Sequence, residues 1–125
     1  MDKFREYLNE CMQTIDRVRN MINIQHIPSN AISCNELYNA LYQLIPLIPQ
    51  EYCIFRDRLR DKILPNLKTP ALIFMDQHGR PFARPQNGIN PYSFGEVIAT
   101  ITYLNGSSNN NPSSIWENIH PQIVA

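Results

Sequence analysis

Four glycines, three cysteines, one tryptophan and no excess of either charge are what this 125-residue chain has little of. The glycines form no Gly-x-Gly-x-x-Gly and no Gly-rich loop before a lysine, so a backbone cradle for nucleotide phosphates is excluded. Cys11, Cys34 and Cys53 are odd in number and lack the close spacing of a zinc knuckle or redox motif. They read as reduced core thiols. Eleven basic residues balance eleven acidic ones, with a pI near 6.8, which leaves no global field to hold nucleic acid or an anionic membrane. No stretch approaches the roughly 18 uninterrupted apolar residues of a membrane span. The opening MDKFREYLNE carries charges where a secretory signal needs an apolar run. The expectation is a cytoplasmic protein without a membrane partner and without a cofactor.

What is present is apolar content of 43%, enough for one core at the size of one domain. Phe4, Leu8, Cys11, Ile15, Val18 and Ile22 recur at steps of three and four, which predicts one helix over residues 2 to 24. Asp2, Glu6 and Glu10 near its start and Arg17 and Arg19 near its end suit the helix dipole. After Pro28, Ser33 and Glu36 have the spacing of a capping box, predicting a second helix through Leu37, Leu41 and Leu44 that Pro46 stops. A third helix is expected from Pro49 to Leu64, with Tyr52, Phe55, Leu59 and Ile63 on one face and Pro65 as its boundary.

Between residues 65 and 91 stand five prolines, Pro65, Pro70, Pro81, Pro85 and Pro91, with Gly79 and Gly88 among them. That density forbids a long helix. Ala71 to Met75 reads as a short strand, Asp76 to Gly79 as a turn, and the stretch beyond Gly79 as a loop. Ser93 and Glu96 form a second capping box, predicting a helix over residues 94 to 104 that Gly106 ends. The fold class expected is mainly α: a small bundle of about four helices with a proline-rich loop or short β insertion over residues 65–91. The domain reading is a helical N-terminal domain over 1–105, a polar, flexible linker over 106–113, and, over 114–125, the start of a following helical domain that the chain lacks. Ser114 and Glu117 give that last piece a capping box of its own. The alternative is that its tryptophan packs back on the body.

His26, His78 and His120 lie in separate proline-bounded segments, without a partner at helical metal-ligand spacing, and no catalytic or metal residue is assigned. His26 and His78 read as turn residues. A small enzyme would need a cleft bringing His78 to Cys53 or Asp76. The charge distribution is more informative than its total. Arg56, Arg58, Arg60, Lys62, Lys68, Arg80 and Arg84 stand against Asp57, Asp61 and Asp76, an excess of four positive charges between residues 56 and 84. Arg56, Arg60, Arg80 and Arg84 are candidates to hold phosphates or a partner, with Phe82 or Phe74 to stack on a base. The competing reading pairs Arg56 and Arg60 with Asp57, Asp61, Glu51 or Glu10 on a solvated face.

The run from Glu96 to Asn105, the polar stretch, and then Ser114-Ile-Trp-Glu-Asn-Ile-His-Pro-Gln-Ile-Val resemble the junction in bacterial abortive-infection-type proteins. There an N-terminal domain leads into a C-terminal HEPN-like helical domain that opens with a Trp and a His-Pro-x-Ile-Val motif. The likeness covers Glu96 to Ala125 and rests on Trp116, Ile119, His120, Pro121 and Ile123. It implies that this chain is the front part of an antiphage defence protein, that nuclease activity belongs to the absent C-terminal part, and that His120 enters a helix rather than catalysing. The function expected is a non-catalytic regulatory or interaction domain, sensing or oligomerising, with a nucleic-acid-binding module as the alternative. Its partners would be a protein or its own C-terminal domain, with nucleic acid second and a homodimer allowed.

Overall fold

The computed structural model describes residues 2–69, 72–84, 87–106 and 115–116. Helix α1, Asp2–Asn23, buries every member of the stripe read from the sequence, Phe4, Leu8, Cys11, Ile15, Val18 and Ile22. Thr14 is buried beside them because its hydroxyl donates to the carbonyl of Glu10 one turn back, at 2.9 Å, and so carries no unpaired polar atom into the core. The helix ends in a turn at His26, whose φ of 56° lies in the left-handed region.

Helix α2, Asn35–Leu44, packs along α1 through Leu37, Leu41 and Leu44. Its start departs from the expected capping box. Ser33 Oγ accepts only from the N–H of Asn35, at 3.3 Å, while the carboxylate of Glu36 turns away from the backbone and pairs with Arg17 of α1. A tertiary ion pair has replaced the local cap.

Helix α3 comes after a short 3-10 turn and is built of three pieces: α-helical Cys53–Arg58, a π-helical turn over Leu59–Ile63, and a last α-helical turn over Leu64–Asn66. It therefore runs through Pro65 instead of stopping there. A proline ring clashes with the carbonyl four residues back and offers no N–H, and the wider π turn just before it gives that ring room. Phe55, Leu59, Ile63 and Leu64 face the core and Tyr52 is half-buried.

The segment expected as strand, turn and loop is a β-hairpin. Strand β1, Leu72–Met75, pairs antiparallel with β2, Pro81–Arg84, in the register Leu72↔Arg84, Ile73↔Ala83, Phe74↔Phe82, Met75↔Pro81. The second strand is hidden in the sequence because it opens with a proline. That position is tolerated at the start of an edge strand, where no ladder hydrogen bond is lost. Asp76 makes the turn: its Oδ1 accepts from the N–H of His78 and of Arg80, both at 2.8 Å, and Gly79 comes next with φ 76°.

Residues 87–90 are anchored to the body by four backbone hydrogen bonds. Cys34 N–H donates to Asn87, Thr69 N–H to Gly88, Ile89 N–H to Ser29 and Asn90 N–H to Leu67, at 2.6 to 2.9 Å. Residues 87–90 are thus held on both sides, and Gly88 is there because a Cβ would stand 2.0 Å from the carbonyl oxygen of Asn30.

Helix α4, Pro91–Leu104, starts three residues before the expected 94. Asn90 is its cap, accepting from Tyr92 N–H at 3.0 Å and Ser93 N–H at 3.4 Å, with Pro91 in the first turn. Neither member of the expected box caps: Ser93 Oγ donates to the carbonyl of Asn66, and Glu96 is occupied elsewhere. Phe94, Val97, Thr100, Ile101 and Leu104 close the core. Among the described residues the chain is mainly helical, four helices with a two-stranded hairpin. Among the described residues no helix is long and apolar enough to cross a membrane.

Candidate functional site

The arginines singled out in the sequence are distributed over two places and most are neutralised. On α3, Arg56 Nε reaches Asp57 Oδ1 at 3.0 Å and its Nη1 reaches Gln50 at 3.1 Å. Arg60 forks onto both oxygens of Asp61, at 2.8 and 3.0 Å, and lies 3.4 Å from Asp57. The hydrogen bond to Arg60 holds the Asp61 carboxyl below its usual range and raises the guanidinium in return. This is the paired face weighed against the phosphate-binding reading, with Asp57 and Asp61, of the acids considered, as the partners and Gln50 in addition.

On the hairpin, Arg80 Nε meets Asp76 Oδ2 at 3.1 Å, and the Asp76 carboxyl is lowered chiefly by the backbone N–H of Arg80. Arg84 ends β2, and its side chain lies outside the described residues, as do His120 and Pro121. Phe82 stacks on Phe74 across the strands, centroids 5.8 Å apart and 28° between planes, and both rings are exposed; Met75, on the other face of the ribbon, is exposed as well. The structure therefore brings Arg80 and Phe82 together on the hairpin and keeps Arg56 and Arg60 apart from them on α3.

A constellation absent from the sequence reading centres on Glu96. Its carboxylate is buried in α4 and accepts two hydrogen bonds from Arg58, from Nε at 3.2 Å and Nη2 at 3.0 Å. The same guanidinium lies 4.4 Å above the ring of Trp116. Trp116 in turn donates its indole N–H to Thr100 Oγ1, at 2.9 Å, and packs against Phe55 at 5.4 Å, which stacks on Tyr103 at 4.5 Å. Ile115 is buried next to it. Of the two readings of this tryptophan, packing back on the body is what these two residues do; the rest of the segment from Ser114 onward lies outside the described residues. One signal was available in the sequence: Glu96 is the only charged residue of a helix rich in apolar side chains, and such a carboxylate, once buried, needs a cation from elsewhere.

Cys11 and Cys34 are fully buried, and burial pushes their thiols up to about 12 and about 11, so neither offers a thiolate nucleophile near neutral pH. Cys53 is half-buried on α3, while His78 is exposed in the hairpin turn, beside an Asp76 whose oxygens are engaged in forming that turn. Among the described residues no three His, Cys, Asp or Glu converge as metal ligands. With the fold and these two constellations in place, comparison with known proteins returns nothing: no family model, curated protein or solved structure matches the chain.

Proposed function

We propose that the chain is a non-catalytic regulatory or interaction domain that presents the β1–β2 hairpin to a protein partner. The observation that carries this is the stacked pair Phe74 and Phe82, both exposed on one face of the hairpin. Single exposed apolar side chains are ordinary, but adjoining ones on one element mark a surface meant to be covered. Engagement of Arg56, Arg60 and Arg80 by carboxylates supports a protein over a phosphate backbone as the partner. On the resemblance of Glu96–Ala125, the setting is the cytoplasm of a bacterium. The domain would be the front module of an abortive-infection-type defence protein whose HEPN-like part carries any nuclease activity.

The second reading, nucleic-acid binding, keeps one observation in its favour: Arg80 is three-quarters exposed, at 74%, within the same hairpin as Phe82. One experiment separates the two. Peptides selected on the immobilised chain from a displayed random library are expected to bind it and to lose binding to a Phe74→Ser, Phe82→Ser variant. In parallel, labelled single- and double-stranded RNA and DNA are titrated at about 50 and 200 mM salt. Salt-sensitive binding abolished by Arg80→Ala with Arg84→Ala, and no hairpin-dependent peptide, would reverse the order of the readings.

A further inference from the structure

The two outer edges of the β1–β2 hairpin are not equivalent. Asp76 N–H donates to the carbonyl of Arg80 at 3.0 Å, so these two residues face each other as a hydrogen-bonded pair. Antiparallel pairs alternate, and in the observed register Phe74↔Phe82 and Leu72↔Arg84 are therefore hydrogen-bonded pairs, whereas Met75↔Pro81 and Ile73↔Ala83 are not. The backbone N–H and C=O of Ile73 and Met75 consequently point away from β2, and those of Ala83, with the C=O of Pro81, point away from β1. Among the described residues the sheet ends there: it has two strands, and no backbone hydrogen bond of Ile73 or Met75 runs to another segment.

Proteins blunt an edge that is to stay unpaired with proline or charge. Strand β2 carries both, Pro81, which has no N–H to offer, and Arg84. Strand β1 is Leu-Ile-Phe-Met and has neither. Its two outward donors and two outward acceptors repeat every second residue, about 7 Å apart. Another extended backbone matches that spacing; a helix, whose backbone groups bond within itself, does not. The exposed Phe74–Phe82 stack lies on one face of the same ribbon, continuous with this edge. Backbone bonds can thus supply affinity and the aromatic face selection.

We infer that the partner is an extended segment that adds to the outer edge of β1 as a third, antiparallel strand. This rests on the proposed partner-binding role of the hairpin and specifies how that partner is held. One residue of the incoming strand lies opposite Ile73 and one opposite Met75, and each exchanges both backbone bonds with the residue it faces. The residue between them stands opposite Phe74 in a non-hydrogen-bonded pair, where side chains are closest, and its side chain shares the Phe74–Phe82 face. An aromatic or β-branched residue there extends the stack. Proline at either bonded position is excluded, because it supplies no N–H.

The test uses the full chain and those selected peptides whose binding depends on Phe74 and Phe82. N-methylation removes one backbone donor of the peptide at a time. Affinity should fall at least about tenfold at two positions two residues apart and stay within about twofold at the position between them. On the protein, amide exchange at Ile73 and Met75 should slow on binding, and exchange at Ala83 should not. Met75→Pro removes an outward donor without touching the hairpin's own bonds and should abolish binding, whereas Ala83→Pro, the same change on the other edge, should leave it intact. A hairpin-dependent peptide with no alternation in the scan and no slowing at Ile73 and Met75 would overturn the added strand and leave the partner surface standing; a selection that returns no hairpin-dependent peptide would remove both. Self-association of the chain that Met75→Pro abolishes would make a second copy the occupant and overturn a separate partner. If either proline variant fails to fold, the N-methyl scan and the exchange measurement still decide.

Discussion

The helical body holds a buried core, whereas the described apolar side chains of the β1–β2 hairpin, Phe74, Met75 and Phe82, are all exposed. In the body, Leu8, Leu37, Leu41 and Phe94 are completely enclosed; in the hairpin, Phe82 and Met75 are 45% and 64% exposed. A helix can hide a stripe against its neighbours while hydrogen-bonding itself. A two-stranded hairpin satisfies only its inner edge and, alone in water, is marginal at best. Further along the chain, residues 87–90 are clamped between Ser29–Cys34 and Leu67–Thr69. The buried core thus lies in the helices, which also leave Tyr42 and Ile54 exposed, whereas no described side chain of the hairpin is buried.

That contrast can be broken most forcefully from the body side. Leu41→Ala should destabilise the chain by about 3 kcal/mol in urea unfolding, the cost of lost burial plus a cavity at a site fully surrounded by core. Gly88→Ala should cost a similar amount, about 3 kcal/mol, since backbone on both sides must move to admit the methyl group. A loss below about 0.5 kcal/mol would mean the clamp is not rigid.

A pH effect sharpens the same distinction. The Cys11 and Cys34 thiols are raised in the folded state, so their contribution is fully present below the ordinary thiol value of 9.0 and is lost as pH rises towards about 12 and about 11 respectively. Once the unfolded thiols are ionised, each removes about 1.4 kcal/mol per pH unit. Urea midpoints between pH 8 and pH 10, compared with a Cys11→Ala, Cys34→Ala variant, should show the flatter slope in the variant. Asp76 has the opposite sign and belongs to the hairpin. Its carboxyl is lowered, so turn stability is present above the ordinary aspartate value and lost as pH falls through the folded one. The amide resonances of His78 and Arg80 should report this in acid while helical circular dichroism stays constant. The smallest effect is expected for Phe82→Ser, within about 0.5 kcal/mol by urea unfolding; a loss comparable to that of Leu41→Ala would place the hairpin inside the core after all.

The first helix was legible in full because its periodicity depends on nothing but spacing. The starts of α2 and α4 were misread for one shared reason: Glu36 and Glu96 occupy the third position of a capping box, yet each is drawn to an arginine on another helix, Arg17 and Arg58. Ser93, the other half of the second box, turns its hydroxyl to Asn66, and Asn90 with Pro91 caps in its place. In the candidate site, the paired acids of Arg56 and Arg60 were readable because they are neighbours in sequence. The Glu96–Arg58–Trp116–Thr100 chain was not, since Arg58 and Glu96 are 38 residues apart.

The sequence by itself determined which faces of α1, α2 and α3 are apolar, where proline forbids a long helix, and that no global charge recruits a partner. Those properties are local, set by side-chain spacing and backbone chemistry. Only the tertiary structure decided that β2 exists, that Gly88 must be glycine, and that Trp116 lies on Phe55 under the guanidinium of Arg58. Each of these depends on what a distant segment places within a few ångströms, and spacing along the chain carries no trace of it.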